Sequence, residues 1–169
     1  MILTGQIIGW IAAILTFASY QCKEHRTLLM VQTIATLSMS ASYFFLGAMS
    51  GMLLNVICII RNLVIYKRNT KFFSYAFWPY LLALLMGLGG ASSWQGPMSL
   101  MIIVALMVNT LFLFSPDVQQ LRKSILLTSS MIMIYNIFYQ VWGGVANELI
   151  AISSSIIGLY RFRNKNKVA

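Results

Sequence analysis

Two asparagines, Asn55 and Asn147, stand 92 residues apart, each inside a long apolar run. A carboxamide carries two N–H donors and an acceptor oxygen, so inside such a run it needs partners. Two facing amides can hold a hydroxyl-rich solute, and the same groups can instead tie helix to helix. Arg61 is the one base inside an apolar run, and Asn62 follows it. Lys67 lies six residues further on, about 9 Å of helical rise. The Arg61 head therefore either snorkels to that surface or faces inward, where it can pair an anion or Glu148. Glu148 is the one acid within an apolar run. It either meets solvent near a helix end or takes up a proton and couples transport to a gradient. Tyr43, Tyr135 and Trp142 carry rings that stack on a sugar face or pack among helices. Asn136 adds a further amide. Helical spacing puts Asn55, Cys58 and Asn62 on one face, as a polar stripe.

The other chemistries lack their residues. No span holds paired carboxylates, and no Ser/His/Asp set comes with a plausible base, so no enzyme is expected. Two cysteines and one histidine fall short of a structural zinc site, and no glycine-rich phosphate loop appears. No cofactor or metal is expected. Cys22 falls at a helix end and Cys58 within a helix, which argues against a disulfide.

The elements that carry these residues follow from composition. Of 169 residues, 59% are hydrophobic and 9% charged, and the mean hydropathy is +0.79. Soluble domains are about 25% charged, and disordered chains have low hydrophobicity. What remains is an integral membrane protein with a surface covered by lipid. The net charge of +9 comes from 12 Lys+Arg against 3 Asp+Glu. The bases cluster between apolar runs, which the positive-inside rule explains without a nucleic-acid partner.

Seven spans are expected: about Ile2–Tyr20, Leu28–Leu46, a third after the turn at 47–51 and ending at Tyr66, Phe73–Gly90, Pro97–Phe114, Ile125–Trp142 and Gly144–Tyr160. A spanning helix takes about 20 residues, so no separate soluble domain fits. The N-terminal segment has no basic region ahead of its apolar run and reads as the first span rather than a cleaved signal. Lys23 and Arg26 follow span 1; Lys67, Arg68 and Lys71 follow span 3; Arg122 and Lys123 follow span 5; Arg161, Arg163, Lys165 and Lys167 follow span 7. All fall on one side, which sets the N-terminus outside and the C-terminus in the cytoplasm. Tyr20, Tyr66 and Tyr160 anchor the inner ends, and Trp94 and Trp142 the outer ends.

The halves repeat. An offset of 92 pairs Tyr43 with Tyr135, Gly51 with Gly143 and Asn55 with Asn147; an offset of 96 pairs Ser19 with Ser115 and Arg26 with Arg122. Three spans, one linker span and three spans give two parallel repeats about an axis along the membrane normal. The units are residues 1–71, the linker helix 72–94, and residues 95–169 with a basic cytoplasmic tail. This 3+1+3 pattern, with Phe112-Leu113-Phe114-Ser115-Pro116 and Lys123-Ser124, resembles the SWEET sugar transporters and their half-sized SemiSWEET relatives in the wider PQ-loop group. The chain as a whole also resembles the YgjV group of small bacterial inner-membrane proteins. The resemblance covers about residues 5–163. It implies that Asn55 and Asn147 are pocket asparagines, that Pro116 is a hinge and that the solute is a sugar. SWEETs have a proline in each of four helices; here only Pro116 matches, and Tyr20 stands in place of the first.

The expected protein is thus an all-α integral membrane transporter of a small polar solute in a bacterial-type inner membrane. It works by alternating access between two three-helix bundles. Its partners are the solute and the lipid bilayer. A single chain supplies both repeats, so a monomer is sufficient and a homo-oligomer possible. The substrate-binding candidates are Asn55, Asn147, Arg61, Asn62, Tyr43, Tyr135, Asn136 and Trp142. Glu148 is the proton-coupling candidate. Two other readings stay open: a carrier of amino acids or small monocarboxylates using Arg61, and a receptor or assembly protein that moves nothing.

Overall fold

In lipid, a chain segment must satisfy its own backbone N–H and C=O groups, and for a single apolar run only a helix does so. The computed structural model describes residues 2–19, 25–67, 72, 73, 75, 77–114 and 118–161. Among these residues seven helices form and no strand: α1 (Ile2–Ser19), α2 (His25–Phe45), α3 (Met49–Tyr66), α4 (Trp78–Ser92), α5 (Pro97–Leu113), α6 (Val118–Phe138) and α7 (Trp142–Arg161). By length and composition α1, α3 and α7 can each cross a membrane, and α4 and α5 are apolar but shorter.

Three boundaries differ from expectation by four residues or more, one of them the end of the sixth helix at Phe138 rather than Trp142, which opens α7. The fourth helix starts at Trp78, not near Phe73. Phe72, Phe73 and Phe77 gather on the Trp78 ring, and its Nε1–H donates to the Phe72 carbonyl at 2.9 Å. Pro79 in the first turn then starts the helix. The sixth helix starts at Val118, not Ile125, because Gln119, Gln120, Arg122 and Lys123 break hydropathy without breaking helical geometry. Arg122 lies along α7, donating from Nη1 to the Gly158 carbonyl at 3.2 Å.

Helix packing follows a ring. α1 packs on α2 and α7, α2 on α3, α3 on α5, α5 on α6 and α6 on α7, while α4 lies against α3 and α5. Lipid gives helices no hydrophobic reason to associate, so small residues must let backbones approach closely. They do so at α1. A Cβ on Gly143 of α7 would fall 2.2 Å from the Gly9 carbonyl carbon, and one on Gly9 would fall 2.8 Å from Ser42 Oγ. Ser42, fully buried, donates to the Gly5 carbonyl at 2.7 Å. Large apolar side chains point outward: Trp10, Ile14 and Phe17 on α1, Leu84 and Leu88 on α4, Ile156 and Ile157 on α7. A surface of this kind is stable in lipid and aggregates in water.

The α2–α3 and α6–α7 segments share a register that differs from the one expected for the two halves. α2 and α6 start at 25 and 118 and end at 45 and 138, and α3 and α7 start at 49 and 142, so the offset is 93. The buried residues agree: Ala35 with Thr128, Met39 with Ile132, Ser42 with Tyr135, Tyr43 with Asn136, Ala48 with Val141 and Ser50 with Gly143. The turns agree as well. Ala48 N–H donates to the Tyr43 carbonyl at 2.9 Å and Val141 N–H to the Asn136 carbonyl at 2.8 Å. Gly47 (φ 77°) and Gln140 (φ 54°) occupy the same left-handed position. At this offset Asn55 corresponds to Glu148, not Asn147, and Arg61 corresponds to Ser154.

Candidate functional site

The interior is tied across the ring at the end where α2 meets α3 and α6 meets α7. The Tyr43 hydroxyl donates to Asn136 Oδ1 at 2.6 Å. The Gly51 N–H donates to the Tyr135 hydroxyl at 3.0 Å. The two tyrosine rings meet edge to face at 6.2 Å, and Tyr139 tilts onto Tyr135 at 4.7 Å. Each half seats its own polar group on a glycine. A Cβ on Gly51 would touch the Tyr43 ring at 3.0 Å, and one on Gly144 would touch the Asn136 amide at 2.6 Å. Tyr43, Tyr135 and Asn136 are all buried, and the Asn136 Nδ2 has no hydrogen-bond partner.

Further ties close the same end. Gln6 Nε2 donates to the Gln140 carbonyl at 2.6 Å, joining α1 to the α6–α7 turn. Gln95, between α4 and α5, donates from Nε2 to the Gly47 carbonyl at 2.8 Å, and its Oε1 accepts from the Ser50 N–H at 3.2 Å. The Ser50 hydroxyl bonds the Ser93 carbonyl and lies 3.0 Å from Ser99 Oγ.

Glu148 lies inside the protein at 8% exposure, rather than meeting solvent at a helix end. The Asn147 amide donates to its Oε1 at 3.3 Å. Ser129 of α6 is buried as well, at 4% exposure. Asn147 is half-buried and its Oδ1 has no partner. Asn55 is also half-buried and bonds within its own helix, Nδ2 to the Gly51 carbonyl at 2.9 Å. Cys58 and Asn62 continue the stripe and are buried, at 4% each. Ser155 is buried at the α7 position that corresponds to Asn62.

Arg61 is half-buried and turned toward α5. Its Nη1 lies 3.4 Å from Thr110 Oγ1, and its Nη2 lies 3.5 Å from Asn62 Oδ1. Trp142 opens α7 and is 50% exposed, apart from the tyrosine pair. Pro116, the hinge candidate, lies outside the described residues, as do Cys22 and Glu24. Among the described residues, no group of three His, Cys, Asp or Glu side chains could hold a metal ion.

Sequence reasoning found Tyr43, Tyr135, Asn136, Asn62 and Glu148, which the fold gathers at one end and along the interior. It missed Gly144, Ser155 and the Ser50–Gln95–Ser99 tie. Gly144 and Ser155 carry no signal until the register is known, because small residues are common throughout these helices. A model of the family Imp-YgjV, described as a bacterial inner membrane protein, matches residues 3–166. No curated protein and no solved structure matches the chain.

Proposed function

The chain belongs to the Imp-YgjV family of bacterial inner membrane proteins, and on that premise we propose that it carries a small polar solute across that membrane. The observation that carries this reading is a polar interior in an apolar protein, closed at one end. Tyr43, Asn136, Tyr135 and Gly51 bridge the ring there, and polar groups continue below them at Glu148, Cys58 and Asn62. Buried polar and ionisable groups are expensive in a bilayer and are kept where something polar passes.

Alternating access supplies the mechanism. The halves, α1–α3 and α5–α7, act as two parallel units joined by α4, with the N-terminus outside. The matched bounds, burial and turns of α2–α3 and α6–α7 support this, as does the resemblance to SWEET and PQ-loop carriers. The cross-ties hold the outer end shut. Opening exchanges them for bonds to water or to the solute, and the inner end closes in turn. Glu148 couples the cycle to protons, since it is buried, bonded to the Asn147 amide and paired with no cation among the described residues.

Uptake into proteoliposomes from labelled sugars, amino acids and small carboxylates tests the reading. One class is taken up, faster with an inward proton gradient, and Glu148→Gln loses the response to the gradient while still folding. A flat panel from folded protein overturns transport of these classes and favours a receptor or assembly role.

A further inference from the structure

Arg61 brings a full positive charge into a span, and none of the ties described above uses it. Its guanidinium points into the seam where α3 meets α4 and α5. Thr110, which it reaches at 3.4 Å, has no exposed surface and itself donates to Met86 Sδ of α4 at 3.1 Å. A snorkelling arginine extends toward lipid phosphates; this one turns inward.

The bonds it makes leave it short of acceptors. Both are long for a charged donor, which normally sits about 2.7–2.9 Å from an anionic oxygen. The buried Nε of Arg61 has no partner at all. Beside it, Asn62 is 4% exposed, and its Nδ2 also has no partner. Two buried N–H donors, one of them cationic, therefore stand on adjacent residues with nothing to accept from them. Glu148 does not serve. It corresponds in depth to Asn55, six residues and about 9 Å of helical rise away from Arg61.

We propose that Arg61 and Asn62, with the Thr110 oxygen steadying the guanidinium, form a subsite for the carboxylate of a small monocarboxylate, which is the transported solute. Two oxygens on one carbon match two neighbouring donors, and a planar guanidinium suits that fork. A single negative charge balances the single positive charge. A phosphate dianion would leave one charge unpaired at low dielectric, and a neutral sugar would leave the arginine unpaired. The inference rests on the transport reading for its role in uptake, but carboxylate binding is measured separately.

The test is equilibrium binding of labelled lactate to the purified full chain in a neutral detergent, with acetate, inorganic phosphate and glucose as competitors. Lactate binds saturably, acetate competes, and phosphate and glucose do not. Arg61→Gln weakens binding at least tenfold, and Arg61→Lys recovers part of the loss. Should Arg61→Gln fail to fold, Asn62→Asp serves: its carboxylate pairs with Arg61, and lactate binding falls at least tenfold. Lactate binding that these variants leave unchanged, or no lactate binding by folded protein, overturns the subsite. So does a melting shift produced by anionic phospholipid alone and lost in Arg61→Gln, which would make Arg61 a headgroup anchor. Saturable lactate binding with no uptake in proteoliposomes would leave the subsite standing and bring down the transport reading. Sugar uptake unaffected by Arg61→Gln would do the reverse.

Discussion

A tyrosine hydroxyl is the only atom that separates Tyr43 from phenylalanine, and here that atom joins the two halves of the protein. Its 2.6 Å bond to Asn136 lies in the buried interior. Interhelical hydrogen bonds in membranes average about 0.6 kcal/mol and reach about 1.7 kcal/mol. Tyr43→Phe should therefore cost about 1 kcal/mol. A double-mutant cycle with Asn136→Ala should show coupling of similar size, measured by thermal melting in detergent. Additive losses would mean that the pair contributes nothing as a pair. The residue types alone could not reveal this bond, because Tyr43 and Asn136 are 93 positions apart and Tyr135 is the more obvious mate. Glu148 shows the same limit. A position near a helix end suits a solvent-exposed acid, and only the surrounding helices bury it.

At the scale of helices, α1 and α7 approach closely, backbone to backbone. The space a Gly143 Cβ would need is filled by the Gly9 backbone, which cannot swing aside as a side chain can. Gly143→Ala should push the helices apart and cost about 1–3 kcal/mol, as overpacking does. Gly87→Ala is the control, since its Cβ would meet only the flexible Met107 side chain, at 3.4 Å. Thermal melting of the two variants side by side checks this, and an equal effect would mean that the α1–α7 contact is loose. Helix limits were legible in the sequence wherever glycine, proline or a change from apolar to polar coincided with the true end, as at Pro97 and Tyr66. They were misread at Val118 and Trp78. There hydropathy and helicity part company: a helix continues through Gln119, Gln120 and Arg122 without being apolar, and the apolar Phe72, Phe73 and Phe77 pack on the Trp78 ring ahead of the helix.

For the whole molecule, the distribution of basic residues makes a topological prediction that packing does not decide. Trp94 lies between α4 and α5 and is exposed, and Ala169 ends the chain beyond the basic tail. In a background with Cys22→Ser and Cys58→Ser, Trp94→Cys should react with a membrane-impermeant maleimide applied to spheroplasts. Ala169→Cys should react only after lysis. The opposite pattern would invert the protein in the membrane and reverse which end the tyrosine ties close.

The sequence alone determined that this chain lives in a bilayer, that it forms seven helices and roughly where each begins. Those properties are local: they depend on the hydropathy of about 20 neighbouring residues and on the punctuation between them. It also marked Asn62, Asn136 and Glu148, since an amide or a charge in an apolar run stands out wherever it points, but not the buried serines and threonines around them. Tertiary structure alone decided the register between the halves. A slip of one residue turns a helical side chain by about 100°. The 92-residue pairing of Asn55 with Asn147 and the observed 93-residue pairing of Asn55 with Glu148 therefore describe different interiors. That choice rests on contacts among residues dozens of positions apart, such as Tyr43 on Gly51 and Asn136 on Gly144, and no short stretch of chain contains it.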